Sequence, residues 1–124
     1  MTQTKPHIVI AEDDKAYGRV YLNKFTAEGY DVTLITNGSA VVPALLKRKP
    51  QLLLLDLIMP GKDGFGVLEE LRAVPELKDL RVIVASNLSQ DIDKEKVAKY
   101  GVYDYFVKSD VSISEVIQRI RNAL

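Results

Sequence analysis

Short apolar runs alternate along the chain with longer stretches in which apolar residues recur every three or four positions. The most apolar run, Leu52–Leu55, is made only of leucine, which is typical of a strand buried on both faces of a parallel sheet. The spacing of Tyr17, Val20, Tyr21 and Phe25 instead predicts the buried face of a helix. Because both patterns repeat in turn, the chain is predicted to alternate strands with helices.

Turn-forming and helix-capping residues between the runs mark where the predicted elements begin and end. Pro60-Gly61 and Asp63-Gly64 turn the chain after the leucine run, Gly29 and Gly101 end helices, and Ser112 with Glu115 three positions later forms a capping box. Pro43 predicts an irregular first turn in the second helix. The predicted strands cover residues 8–11, 31–35, 52–56, 81–85 and 103–107, and the predicted helices cover residues 15–28, 39–46, 65–73, 91–100 and 113–124.

This alternation predicts an α/β fold, a doubly wound sheet of five parallel strands covered by five helices. Of the common doubly wound arrangements, five strands fit the flavodoxin-like order 2-1-3-4-5. In that order the first and third strands are neighbours, and ligands bind where their carboxyl ends meet. With 124 residues and no linker or repeat, residues 1–124 are expected to form a single domain.

Charge and composition narrow the classes of function. The chain has 17 basic and 17 acidic residues, so no basic footprint for nucleic acid or a membrane surface is visible. It has no cysteine, which excludes disulfides, thiol catalysis and cysteine metal sites. Its apolar runs are too short to span a membrane. We therefore expect a cytoplasmic protein with neither a nucleic-acid nor a membrane partner.

Acidic residues follow two of the predicted strands. The first strand runs into Glu12-Asp13-Asp14, and the leucine run ends at Asp56. Asp14 reads well as the N-cap of the following helix, but Glu12 and Asp13 would repel Asp56 unless a positive group lay among them. Carboxylates with carbonyl oxygens and water are the ligands of Mg²⁺. The sequence therefore predicts a Mg²⁺ site at the switch point.

Two further strands end in polar residues, Ser86-Asn87 and Lys108. Taken singly, Lys108 is most simply a solvated surface lysine and Ser86 a turn or helix cap. His7, the only histidine, is expected at the surface. Tyr105 next to Phe106 should face the opposite side of the sheet.

In combination, Glu12-Asp13, the segment from Leu55 to Gly61, Ser86 and Lys108 resemble the receiver domain of two-component response regulators over nearly the whole chain. The resemblance implies that Asp56 accepts a phosphoryl group from a histidine kinase or phosphotransfer protein, and that the domain signals rather than acts as an enzyme. It also implies that Asp13, Asp56 and the carbonyl of Ile58 hold Mg²⁺, with Glu12 acting through a bound water.

By the same resemblance, Ser86 and Lys108 bind the phosphoryl oxygens, and Tyr105 turns inward when Ser86 moves. The regulated face is then the fourth helix, fifth strand and fifth helix, which would bind a partner protein or a second copy of the chain. Asn87 stands where the family commonly has a smaller residue and would crowd the phosphoryl site. Ser109 follows Lys108 where proline is usual, so the isomer of that peptide bond is left open.

Other classes of function fit less well. A flavodoxin-like electron carrier would need a phosphate-binding loop after the first strand, where Glu12-Asp13-Asp14 would instead repel phosphate. An aspartate-based phosphatase would need an acid or hydroxyl group two residues after Asp56, and Ile58 is apolar. The stronger alternative is a receiver-like domain that is never phosphorylated and acts only as a protein-binding module.

Overall fold

The computed structural model describes residues 5–88 and 91–124, and it has the α/β architecture that the sequence predicts. Within those residues, five strands form one parallel sheet and five helices cover its faces. The strands are β1 (His7–Ala11), β2 (Asp31–Ile35), β3 (Leu52–Leu55), β4 (Arg81–Ser86) and β5 (Asp104–Val107). The helices are α1 (Lys15–Ala27), α2 (Val41–Lys47), α3 (Gly64–Ala73), α4 (Asp91–Ala98) and α5 (Ile113–Ala123).

The strand order is β2-β1-β3-β4-β5, and every pair is parallel, which confirms the predicted flavodoxin-like order. The central strand β3 pairs with β1 on one side and β4 on the other. Since successive side chains of a strand point to opposite faces, Leu53 and Leu55 pack into one core and Leu52 and Leu54 into the other. All four leucines are at most 1% exposed.

The predicted bounds hold within two residues, and the largest differences lie at helix ends. The fourth helix ends at Ala98 rather than residue 100. A 3₁₀ turn, Gly38–Ala40, precedes α2, which puts Pro43 in the first turn of the helix, where its missing N–H costs no hydrogen bond. Ser112 caps α5 by accepting from the Glu115 N–H at 3.2 Å, while the Glu115 carboxylate pairs with Arg119 instead of completing the box.

The expectation for His7 is wrong, because this residue is only 5% exposed. It starts the interior strand β1, its N–H donates to Gln51 Oε1 at 2.7 Å, and its ring Nε2 lies 2.9 Å from Thr33 Oγ1. The buried Nδ1 has no hydrogen-bond partner in the part of the chain that the structure describes. Burial lowers the pKa of His7, and the nearby Arg48 lowers it further.

Arg72, near the end of α3, joins two loops at the edge of the sheet opposite the strand ends that carry the acids. Its guanidinium donates to five backbone carbonyls, those of Leu77, Lys78, Leu80, Tyr100 and Gly101, at 2.7–3.4 Å. One side chain therefore ties the segment before β4 to the segment before β5. None of the helices in residues 5–88 and 91–124 has the length and apolar character needed to cross a bilayer.

Candidate functional site

Asp56 lies at the carboxyl end of the central strand, as predicted. It follows β3 directly, its N–H donates to the carbonyl of Ala11 at 3.0 Å, and the residue is 6% exposed. Asp56 Oδ1 accepts from the N–H of Ile58 at 3.2 Å. The backbone ladder and this short turn together fix the direction of the carboxylate.

Glu12 and Asp13 meet Asp56 at the point where β1 and β3 end. The Glu12 N–H donates to the carbonyl of Ile35 at 2.9 Å, and Glu12 Oε2 accepts from the N–H of Asp14 at 3.1 Å. Glu12 is 2% exposed, whereas Asp13 is exposed. One carboxylate oxygen from each of Glu12, Asp13 and Asp56 lies within 4.8 Å of the others. Asp14 caps α1 through its side chain, as predicted.

Lys108 supplies the positive group that this acidic cluster requires. It follows β5, and its Nζ donates to Glu12 Oε1 at 2.7 Å and to Asp56 Oδ2 at 3.1 Å. Its side chain is 4% exposed, so the simple interpretation as a solvated surface lysine is wrong. The Lys108–Ser109 peptide bond is trans.

The crowded charges perturb the ionisation of the cluster. The pKa of Glu12 is raised to about 7, mainly by burial. The hydrogen bond from Lys108 acts in the opposite direction, and the Asp56 carboxylate acts in the same direction as burial. Burial alone would lower the pKa of Lys108, but the Glu12 and Asp56 carboxylates outweigh it and raise that pKa. A single ammonium thus faces two buried carboxylates and cannot neutralise both of them.

A small open cavity of about 180 Å³ gives solvent access to this cluster. Its lining residues are Asp13, Asp14, Asp56, Ile58, Asn87 and Lys108. The donor set suits Mg²⁺, because hard carboxylate oxygens converge there and the exposed Asp13 leaves room for the waters that this ion retains. Of the residues expected to act, the fold therefore brings together Glu12, Asp13, Asp56, Ile58, Asn87 and Lys108.

Ser86 and Tyr105 are joined to each other through Leu88. Ser86 is fully buried at the end of β4, and its Oγ accepts a long hydrogen bond from the Leu88 N–H at 3.4 Å. The half-buried Tyr105 donates its hydroxyl proton to the carbonyl of the same leucine. Tyr105 packs against the core opposite to the one that contains Phe106, as expected. A movement of residue 88 would therefore change the surroundings of both side chains.

The loop that follows Asp56 is held by a close backbone approach from the segment before α2. The Gly38 N–H donates to the carbonyl of Pro60 at 3.0 Å. A Cβ atom at Gly38 would lie 1.6 Å from the carbonyl oxygen of Lys62. Only glycine permits this approach, so the Asn37-Gly38 turn has a packing role that the sequence pattern did not reveal.

Tyr17 is a neighbour of the site that sequence reasoning missed. Its helical spacing predicted only core packing, yet its ring centroid lies 4.4 Å from Lys108 Nζ. Nothing in the sequence signals this contact, because residues 17 and 108 are far apart in the chain and meet only when α1 packs beside the turn that follows β5.

Comparison with known proteins agrees with this geometry. A sequence model of the family described as the response regulator receiver domain matches residues 8–121. The chain belongs to this family. As a receiver domain, it has the fold of the signalling module of two-component systems, and its acidic cluster occupies the strand ends where the resemblance places it.

Individual relatives support the assignment. The transcriptional regulatory protein BaeR of Escherichia coli is 31% identical over 122 residues, which are 98% of this chain and 49% of BaeR. The receiver domain thus spans about half the length of the curated relatives it matches. The BeF₃-activated N-terminal receiver domain of Klebsiella pneumoniae RstA has a TM-score of 0.86 and 26% identity, covering 94% of this chain and 97% of that one. The Mn²⁺-bound response regulator Rcp1 has a TM-score of 0.82 and 25% identity, covering 94% and 90%.

Proposed function

We propose that residues 1–124 act as one phosphoacceptor domain in which Asp56 receives a phosphoryl group from a phosphohistidine of a histidine kinase or phosphotransfer protein. A carboxylate oxygen of Asp56 forms the new P–O bond, the P–N bond breaks, and the leaving imidazole takes up a proton. The observation that carries this proposal is the pair of hydrogen bonds from the buried Lys108 ammonium to Glu12 and Asp56. A positioned cation beside the accepting carboxylate offsets the repulsion between two anions.

Asp13, Asp56 and the Ile58 carbonyl would hold Mg²⁺, and Glu12 would act through a water bound to the ion. The ion would supply additional positive charge to the phosphoryl oxygens. This proposal draws support from the convergence of three carboxylates at an open cavity. Among the similar structures, Rcp1 was solved with Mn²⁺ bound.

Lys108 and Ser86 would bind the oxygens of the new phosphoryl group. Lys108 already donates to Asp56, and its compact ammonium can follow the group as it is added. Ser86 would have to exchange its long bond with Leu88 for one with a phosphoryl oxygen. Asn87 lines the cavity, where its amide would contact the group and restrict the space around it.

We further propose that the face formed by α4, β5 and α5 is the regulated surface for a partner protein or a second copy of the chain. Because Ser86 and Tyr105 bond to the same residue, a shift of Ser86 toward the phosphoryl group would disturb the Tyr105 hydrogen bond. Such coupling requires one element with two arrangements that both sites bias. The segment around Leu88 is our candidate for it.

Intact-mass analysis after incubation with phosphoramidate and Mg²⁺ tests the phosphoacceptor. We expect a single added phosphoryl group, abolished in Asp56→Asn and in Asp13→Ala, and reduced when the metal is chelated. Asp63→Asn is the matched control, because Asp63 lies in the same loop, where it caps α3 and asparagine caps equally well. Labelling of Asp56→Asn equal to that of the wild type would refute the assignment. Failure of the wild type to take up any phosphoryl group would favour the binding-module alternative.

Thermal unfolding tests the metal site without any phosphodonor. An ion that binds only the folded protein raises the melting temperature as its concentration increases. Asp13→Asn should raise the melting temperature in chelator, since it removes one of the clustered charges, and should weaken the dependence on Mg²⁺. A melting temperature that does not respond to millimolar Mg²⁺ would contradict the proposed site.

A further inference from the structure

Among the residues that the structure describes, the ammonium of Lys108 bonds to two carboxylates and also contacts an aromatic ring. Its Nζ donates to Glu12 Oε1 at 2.7 Å and to Asp56 Oδ2 at 3.1 Å, and it lies 4.4 Å from the centroid of the Tyr17 ring. A lysine ammonium has three N–H donors. The aromatic face therefore covers a side of the cation that the carboxylates leave open. Such cation–π contacts are stronger where the cation is desolvated, and the Lys108 side chain is only 4% exposed.

The position of the Tyr17 ring is fixed by α1 rather than by contacts within the site. The Tyr17 N–H donates to the capping side chain of Asp14 at 3.1 Å. Its ring packs on that of Tyr21 with the centroids 5.9 Å apart, and Tyr21 stacks on Phe25 at 5.6 Å. Residues four apart lie on the same face of a helix. Tyr17 is thus the outermost ring of an aromatic ladder whose inner members are buried.

An apolar cavity of about 190 Å³ lies beside the lysine and Tyr17, between α1 and α5. Its walls include Tyr17, Tyr21, Lys108, Val111 and Ile113. The Lys108 side chain therefore has open, mainly apolar space beside it. Loss of the Tyr17 ring would enlarge this space and let the side chain leave the position from which Nζ reaches Asp56.

We propose that Tyr17 is a positioning residue that holds the Lys108 ammonium against the phosphoacceptor carboxylate. The inference rests on the proposed function of Asp56 and adds a residue to it. Tyr17 acts only through the lysine, and it does so with the face of its ring, so the phenol hydroxyl is not required. Phenylalanine at position 17 should therefore hold the lysine as tyrosine does, whereas leucine should not.

Nuclear magnetic resonance tests the contact in the unmodified protein. A proton held above an aromatic ring resonates upfield, so the ε-methylene protons of Lys108 should be displaced upfield in the wild type. Tyr17→Phe should retain the displacement, and Tyr17→Leu should return the signal to the ordinary lysine position. The signal is assigned by its loss in Lys108→Met. An unchanged signal in Tyr17→Leu would overturn the proposal, whether or not Asp56 can be phosphorylated.

The rate of phosphorylation by phosphoramidate tests the consequence. We expect Tyr17→Leu to be slowed roughly tenfold, in line with the strength of a desolvated cation–π contact, and Tyr17→Phe to restore the rate. Tyr30→Leu, which removes another half-buried tyrosine packed against the same core, is the control for a purely structural effect.

A double mutant separates an effect through Lys108 from any other. In a Lys108→Met background, Tyr17→Leu should produce no additional slowing, because the group through which it acts is absent. The same tenfold loss in both backgrounds would overturn the proposal, as would equal slowing by Tyr30→Leu. If the wild type is never labelled, the phosphoacceptor proposal fails, and the resonance experiment alone decides the role of Tyr17.

Discussion

Replacement of Glu12 by glutamine should stabilise the metal-free protein at alkaline pH and not at acid pH. The buried Glu12 has its pKa raised from 4.5 to about 7. Below pH 4.5 the residue is protonated in both the folded and the unfolded chain, and above pH 7 it is ionised in both. Between these limits the folded state keeps a proton that the unfolded state has released. The free energy of unfolding of the wild type must therefore fall as the pH rises through this window.

The size of the effect follows from the difference between the two pKa values. One pKa unit is worth about 1.4 kcal/mol, so the rise from 4.5 to about 7 corresponds to about 3 kcal/mol. Glutamine has one carbonyl oxygen to offer to two donors, Lys108 Nζ and the Asp14 N–H. The loss of one hydrogen bond reduces the expected gain in stability by about 1 kcal/mol. We expect Glu12→Gln to be more stable than the wild type by about 2 kcal/mol at pH 8.5, and no more stable at pH 4.5.

Urea unfolding followed by far-ultraviolet circular dichroism, in chelator from pH 4.5 to 8.5, measures this difference. Because the comparison is between two proteins that share His7, the separate titration of that residue cancels. Glu69→Gln, which neutralises an exposed carboxylate on α3, should stay within about 0.5 kcal/mol of the wild type throughout. A stability difference between Glu12→Gln and the wild type that does not change with pH would refute the raised pKa of Glu12. A wild type that is the more stable protein at pH 8.5 would refute it as well.

Three further outcomes are expected. The phosphorylated protein should lose its phosphoryl group slowly, because Ile58 and Leu88 offer an attacking water no hydrogen bond. The variants Ile58→Asn and Leu88→Glu should increase the decay rate about tenfold or more. Equal decay rates in the variants and the wild type would contradict this. Gly38→Ala should destabilise the fold by about 2 kcal/mol or more in urea, since its Cβ would lie 1.6 Å from Lys62 O, and an unchanged midpoint would refute the close approach. Burial lowers the pKa of His7, so this residue should decrease the free energy of unfolding as the pH falls through about 6.5. The wild type should therefore lose stability relative to His7→Gln in acid. A stability difference between the two proteins that stays constant with pH would contradict this prediction.

The sequence predicted most of the fold because its local signals agreed with one another. The leucine run of β3, the Asp14 cap and the Ser112 cap each marked an element that the structure contains. The acidic cluster was predictable for a topological reason. Once the order of the strands is known, the ends of β1 and β3 must be neighbours, so Glu12 and Asp56 occupy adjacent positions.

The contacts that the sequence could not predict join residues that are distant in the chain. Arg72 bonds to carbonyls in two loops, and a helical pattern does not distinguish such an arginine from one that only contacts solvent. His7 is covered only because β2 and β3 flank the strand that it begins. The helical periodicity predicted which side of α1 carries Tyr17. It could not predict that Lys108, which follows β5, contacts the Tyr17 ring.

The location of Asp56 on the central strand determines what kind of movement can carry a signal. Leu52–Leu55 contribute to both cores and are bonded on both sides, to β1 and to β4. Sliding this strand would break two ladders and empty two sets of packed leucines at once. The Asp56 carboxylate is therefore held in place by β3. Charge added to it must instead move other segments of the domain. Amide hydrogen exchange should accordingly be slowest in β3 with or without the phosphoryl group, and differ between the two states in the segments that follow β4 and β5.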